Sequence, residues 1–147
     1  MQATKAALLI GFVRGSRNQA HADFDGKESA QFIEAYRQSI GEAEPTSELI
    51  QLTIPAQFDN GHAVPFTISV DSPMNDTSYI AKIHILSTAN PVAKVASFYL
   101  SPSNGAAIVS GRFRLAKPQD VYVLAERNDG ALFVAKQFVK VTIGGCS

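Results

Sequence analysis

Tryptophan is missing from this 147-residue chain, and cysteine occurs once. A lone thiol closes no internal loop, so no disulfide restrains the unfolded chain and apolar burial has to hold the fold. The three histidines, His21, His62 and His84, stand far apart with no metal-ligand spacing, and no Cys-x-x-Cys pair accompanies them, so no metal site is expected. Charge of one sign is not in excess either: 13 Lys and Arg face 13 Asp and Glu. That balance lacks the broad footprint demanded by nucleic acid or an anionic membrane surface. The apolar run Ala6 to Val13 has eight residues, far short of the roughly 20 that span a bilayer. Phosphate-cradling glycine patterns, paired catalytic carboxylates and a Gly-x-Ser-x-Gly elbow are absent as well. The chain therefore reads as a non-enzyme without a bound cofactor.

What is present suits one domain with a substantial core, since 46% of the residues are hydrophobic. Residues 1–26 show no regular period. Lys5, the apolar run and the exit Ala20-His21-Ala22 follow the plan of a secretory leader, which implies an exported protein. Arg14 and Arg17 lie outside that plan, leaving a short amphipathic helix or an added leader as alternatives.

From residue 27 the period becomes regular. Asp25 and Glu28 form a capping-box-like start; Phe32, Ile33, Tyr36 and Ile40 recur at helical spacing, and Gly41 supplies the stop, giving a helix of about four turns. Alternation then takes over. Ile50, Leu52 and Ile54 share one face before Pro55, and Val64, Phe66, Ile68 and Val70 form the next row. Ile83 and Ile85 alternate with Lys82 and His84, and Ala96, Phe98 and Leu100 follow. Val109, Gly111, Phe113 and Leu115 oppose Arg112 and Arg114; Val121 and Val123 open a further strand; and Asn128-Asp129-Gly130 turns into Leu132 and Val134, with the last strand reaching Ile143. About seven short strands without alternating helices predict an all-β, immunoglobulin-like antiparallel sandwich preceded by one N-terminal helix, over residues 27–143.

Chemistry concentrates at the C-terminus. Cys146 follows Gly144 and Gly145 and precedes Ser147, beyond the last predicted strand. Free cysteine is usually buried, so a thiol on such a tail is either functional or incidental. Residues 144–147 extend to at most ~14 Å, and glycines let a flexible tether enter a narrow cleft. The arrangement suits a group that visits several active sites with its cargo attached, and a thiolate forms reversible S–S links to sulfur compounds. Arg112 and Arg114, two apart on one strand, share a face that would either bind an anion or partner carboxylates, or simply be solvated. His62 and His84 read as solvent-facing residues.

Asn60-Gly61-His62-Ala63-Val64-Pro65, Val70-Asp71-Ser72-Pro73-Met74, Asn90-Pro91, Arg112-Phe113-Arg114-Leu115 and Asp129-Gly130 occur in an order that resembles the SoxY family of bacterial thiosulfate oxidation, over Leu49 to Cys146. In that family the chain ends Gly-Gly-Cys-Gly-Gly. Gly144, Gly145 and Cys146 match; Ser147 stands at the next glycine and the fifth residue is missing, so the ending is either natural or altered. The resemblance implies covalent attachment of sulfur intermediates to Cys146, with catalysis left to other proteins. It implies a SoxZ-like partner forming a heterodimer in the periplasm. Transient contacts with a haem-containing loading enzyme, a metal-dependent sulfate-releasing hydrolase and a sulfane dehydrogenase are also implied. A Cys146-linked dimer is a further possibility, and a β-sandwich binding or assembly module with an incidental thiol is the alternative function.

Overall fold

Val64, Phe66, Ile68 and Val70 are buried, while Pro65, Thr67 and Ser69 between them are half-exposed. Period-two burial of this kind defines the inner face of a sheet. The computed structural model describes residues 28–142. The leader segment 1–26, Asp25, Ile143 and the tail Gly144-Gly145-Cys146-Ser147 lie outside the described residues. In chain order the elements are α1 (Ala30–Ile40), β1 (Ile50–Thr53), β2 (Gln57–Phe58), β3 (Val64–Val70), β4 (Ile80–Ser87), β5 (Lys94–Tyr99), β6 (Ala107–Phe113), β7 (Gln119–Arg127) and β8 (Leu132–Val141).

The strands make two sheets, β1-β3-β6 and β2-β8-β7-β4-β5, and these stack as the expected sandwich. The strands pair antiparallel except β2 with β8, where Gln57 and Phe58 run parallel to Lys140 and Val141, and an isolated bridge from Thr46 to Phe133 is parallel as well. This two-residue strand, the eighth, is too short to carry a period, and it is the addition to the seven predicted. The core between the sheets includes Ile68, Ile83, Ile85, Val121 and Val123, all fully buried.

Strand β7 is buried on both faces. Val121, Val123 and Ala125 look inward, whereas Tyr122 and Leu124 look outward into a second core with Leu86, Val134 and the helix residues Phe32 and Tyr36. The continuous apolar run Val121–Ala125 is thus explained by a strand covered on both sides. The Phe32 and Tyr122 rings sit 4.8 Å apart by centroid, and burial pushes the Tyr36 phenol up to about 12.

Helix α1 begins later than the sequence pattern suggests. Its N-cap is Ser29, whose Oγ accepts from the Phe32 amide at 3.1 Å, in place of the expected Asp25–Glu28 box. The result is 11 residues, or about three turns rather than four. Gly41 ends it as expected, with φ of 59° and its amide bonded to Arg37 O at 3.0 Å.

Candidate functional site

The register fixes which end of the sandwich the C-terminal tail leaves from. Val139 of β8 pairs with Gln119 of β7, Val121 with Ser87 of β4, and Leu86 with Lys94 of β5. In the other sheet Phe113 of β6 pairs with Val64 of β3. The end of β8, the starts of β7 and β5, and the end of β6 therefore lie together. Thr142, the last described residue, belongs to this end.

The loops here are tied to one another. Asn90 donates from Nδ2 to Arg114 O at 2.8 Å and accepts at Oδ1 from the Ala116 amide at 2.8 Å and from Gln119 Nε2 at 2.9 Å. Gln119 Oε1 in turn accepts from the Ala89 amide at 2.8 Å. Leu115 N donates to Gly61 O at 2.8 Å, and Asn60 Oδ1 caps the His62 amide at 2.9 Å.

Between the unpaired edges of β5 and β6 opens a cleft of about 470 Å³. Its apolar lining includes Phe66, Val95, Phe98 and Phe113; its cations are Lys94, Arg112 and Arg114, and no acidic residue lines it. Phe66 and Phe113 stack at 5.2 Å with an interplanar angle of 10°. Gly111 makes room for this pair, since a Cβ there would meet the Phe66 ring at 3.1 Å.

Charge in the nominally neutral chain is polarised along the strands. Near the tail lie Lys94, Arg112, Arg114, Lys117 and Lys140, against Glu28, Asp59 and Asp120. The opposite end carries Glu42, Glu44, Glu48, Asp71, Asp76 and Asp129, against Arg37 and Arg127. Both ion pairs found among the described residues, Lys82–Glu126 at 3.5 Å and Arg127–Asp129 at 3.0 Å, also sit toward that acidic end.

Of the residues singled out from sequence, Arg112 and Arg114 come together at the cleft. Both are exposed, and Arg112 donates from Nη1 to Ala63 O at 3.2 Å. His62 lies in an exposed turn. His84 departs from the solvent-facing expectation: it is half-buried on β4, with Nδ1 2.7 Å from Ser97 Oγ. Burial first, then the charges of Lys94 and Lys82, hold its imidazole below the ordinary value, with Glu126 opposing them. Among the described residues no three His, Cys, Asp or Glu side chains are grouped to hold a metal ion. Lys94 carried no functional signal in the sequence, and Asn90 stood out only within the Asn90-Pro91 motif, because their place at the cleft arises only when two distant edges face each other.

Residues 36–146 match the family described as sulfur oxidation protein SoxY. The chain belongs to the SoxY family. It resembles the solved sulfur carrier protein SoxY of Chlorobium limicola f thiosulfatophilum, at 32% identity over 77% of this chain and 97% of that one, with a TM-score of 0.62. Two superoxide reductases (neelaredoxins) share the fold. The one from Ignicoccus hospitalis is 17% identical, with 65% of this chain and 81% of that one covered, and gives 0.56. A mutant of the Archaeoglobus fulgidus protein, in its reduced form, is 12% identical over 65% and 91% respectively and gives 0.52. No curated protein matches the chain. SoxY membership places the chain among proteins of sulfur oxidation, and the superoxide reductases are similar to it in fold alone.

Proposed function

We propose that this SoxY-family chain is a covalent carrier of sulfur intermediates in thiosulfate oxidation, with Cys146 as the attachment point. The carrying observation is that the family match runs through residue 146 and so takes in Gly144, Gly145 and Cys146. Loading joins the Cys146 thiolate to the outer sulfur of thiosulfate. One S–S bond forms and two electrons leave to the haem-containing loading partner, giving a cysteine S-thiosulfonate with one negative charge. Gly144 and Gly145 give the tether its slimness and reach, and Ser147 completes the arm. The sandwich is the docking body, acting in the periplasm as a heterodimer with a SoxZ-like subunit and presenting its cargo to the Sox enzymes in turn.

Intact-mass and peptide measurements test this directly. After incubation with thiosulfate and the partner proteins, the C-terminal peptide gains the mass of the bound group. A Cys146→Ser variant keeps its fold and gains nothing; equal loading of that variant would end the proposal.

A further inference from the structure

The chain contains two Asn-Gly pairs, Asn60-Gly61 and Asn104-Gly105. An asparagine followed by glycine is prone to intramolecular attack, because a next residue without Cβ lets its own backbone nitrogen approach the asparagine side chain unobstructed. The fold treats the two pairs in opposite ways.

At Asn104-Gly105 both reacting groups are engaged. Gly105 N donates to Pro102 O at 3.0 Å, and Asn104 Oδ1 accepts from Ser101 N at 2.8 Å, closing a capping box around the short 3-10 turn Pro102–Asn104. At Asn60-Gly61 the same groups are poised. Asn60 is exposed, and its Oδ1 accepts from the His62 amide at 2.9 Å, a bond that arches the side chain over the Gly61 peptide. A donor on Oδ1 makes Cγ more electrophilic and stabilises the oxyanion that develops there. Gly61 is buried, yet its N–H has no hydrogen-bond partner among the described residues, and neither has Asn60 Nδ2. An unpaired buried amide is costly, and this one breaks no bond when it attacks. The other described asparagines lack this arrangement: Asn90 precedes Pro91, whose nitrogen has no proton to lose, and Asn75 and Asn128 precede aspartates, whose Cβ obstructs the approach.

We propose that Asn60 is a site of spontaneous covalent modification, closing on Gly61 N to a succinimide that water then opens. In the first step a bond forms between Gly61 N and Asn60 Cγ, the Gly61 N–H proton is given up, the Cγ–Nδ2 bond breaks and ammonia leaves. Hydrolysis at the main-chain carbonyl of the ring gives an isoaspartyl linkage with one extra backbone carbon; hydrolysis at the side-chain carbonyl gives aspartate. Water is the only co-reactant, and nothing is oxidised or reduced. Either product puts a new carboxylate into the turn whose Ala63 O accepts from Arg112. The isoaspartyl form also displaces Gly61 O from Leu115 N, which donates to it at 2.8 Å and so anchors the loop after β6. Ageing of the protein thus loosens the loop that carries Arg114, whether or not Cys146 bears cargo.

The full chain is incubated in warm, mildly alkaline buffer made with heavy-oxygen water, once folded and once unfolded in guanidinium, and its peptides are followed by mass spectrometry. In the folded chain the Asn60 peptide should take up label at least severalfold faster than the Asn104 peptide, and in guanidinium the two rates should converge. Hydrogen exchange on the isoaspartyl fraction should show the Leu115 amide exchanging at least severalfold faster than in fresh protein. Equal or faster reaction at Asn104 in the folded chain overturns the proposal. So does a preference for Asn60 that persists unchanged in guanidinium, since local sequence and not the turn would then set it. Unaltered exchange at Leu115 overturns the loosening of the loop.

Discussion

Gln119 donates from Nε2 to Asn90 Oδ1 at 2.9 Å, and through that bond the start of β7 holds the loop between β4 and β5. Gln119 is buried, so its amide cannot exchange this partner for water. Replacing Asn90 by Ala also removes the acceptor for Ala116 N and the donor to Arg114 O. Arg114 and Ala116 are exposed and Gln119 Nε2 keeps its bond to Lys117 O at 2.9 Å, so Asn90→Ala is expected to cost about 0.5–1.5 kcal/mol, the net worth of an ordinary hydrogen bond, and urea unfolding measures it. The same variant should broaden the amide signals of Arg114, Leu115, Ala116 and Lys117, since their anchor is gone.

Gly111 sits opposite Phe66 in the β3–β6 ladder. A valine there would place Cβ 3.1–3.2 Å from the edge of that ring, with two methyl groups beyond. Gly111→Val should destabilise by about 1–3 kcal/mol through overpacking and tilt Phe66 away from Phe113. Urea denaturation gives the first quantity and ring-proton shifts of the two phenylalanines report the second.

His84 predicts a sign for the acid response. Its folded pKa is lowered from the ordinary 6.5, so below that value the unfolded chain binds the proton more readily than the folded one. Stability from this group is full above pH 6.5 and is lost as the pH falls from there through the folded pKa. His84→Gln should flatten that part of the stability–pH curve while leaving its neutral region with the same slope. Chemical denaturation between pH 7 and 5, a window of about two units around the ordinary imidazole value, checks this.

Helix α1 is held to the outer sheet face by Phe32 and Tyr36. Truncating Phe32, which is fully buried, should cost about 3–5 kcal/mol. Near-ultraviolet circular dichroism should change with it, because Phe32 packs on Tyr122 and Tyr36. A loss under about 1 kcal/mol would mean that the helix is peripheral to the stability of the sandwich.

The sandwich was legible because β3 buries alternate residues and Ile83 and Ile85 of β4 are buried on either side of half-buried His84, so a period of two survives in sequence. β2 was not, having two residues. The helix stop was written in Gly41, while its start was misplaced because Ser29 caps locally and Glu28 lies before the cap. The quoted family motifs prove largely architectural. Asn90 clamps two loops, Gly61 O receives Leu115 N, and Asp129 accepts from Arg127 and the Ala131 amide beside Gly130 at φ 96°. Arg112 and Arg114 could be read as a charged pair, but their companion Lys94 lies in another sheet. Only folding sets the two edges across from each other.

The parallel partner β2 has a mechanical consequence. Strand β8 is gripped by β7 along one side and, close to its end, by β2 on the other, with Lys140 N bonded to Ala56 O at 2.8 Å and Thr142 N to Phe58 O at 3.2 Å. A pull on the chain past Thr142 runs along β8 and across these bonds, so they must fail together in shear instead of opening one by one. Load on the chain beyond Thr142 is thereby borne by two neighbouring strands at once, and the sheet keeps its register under it.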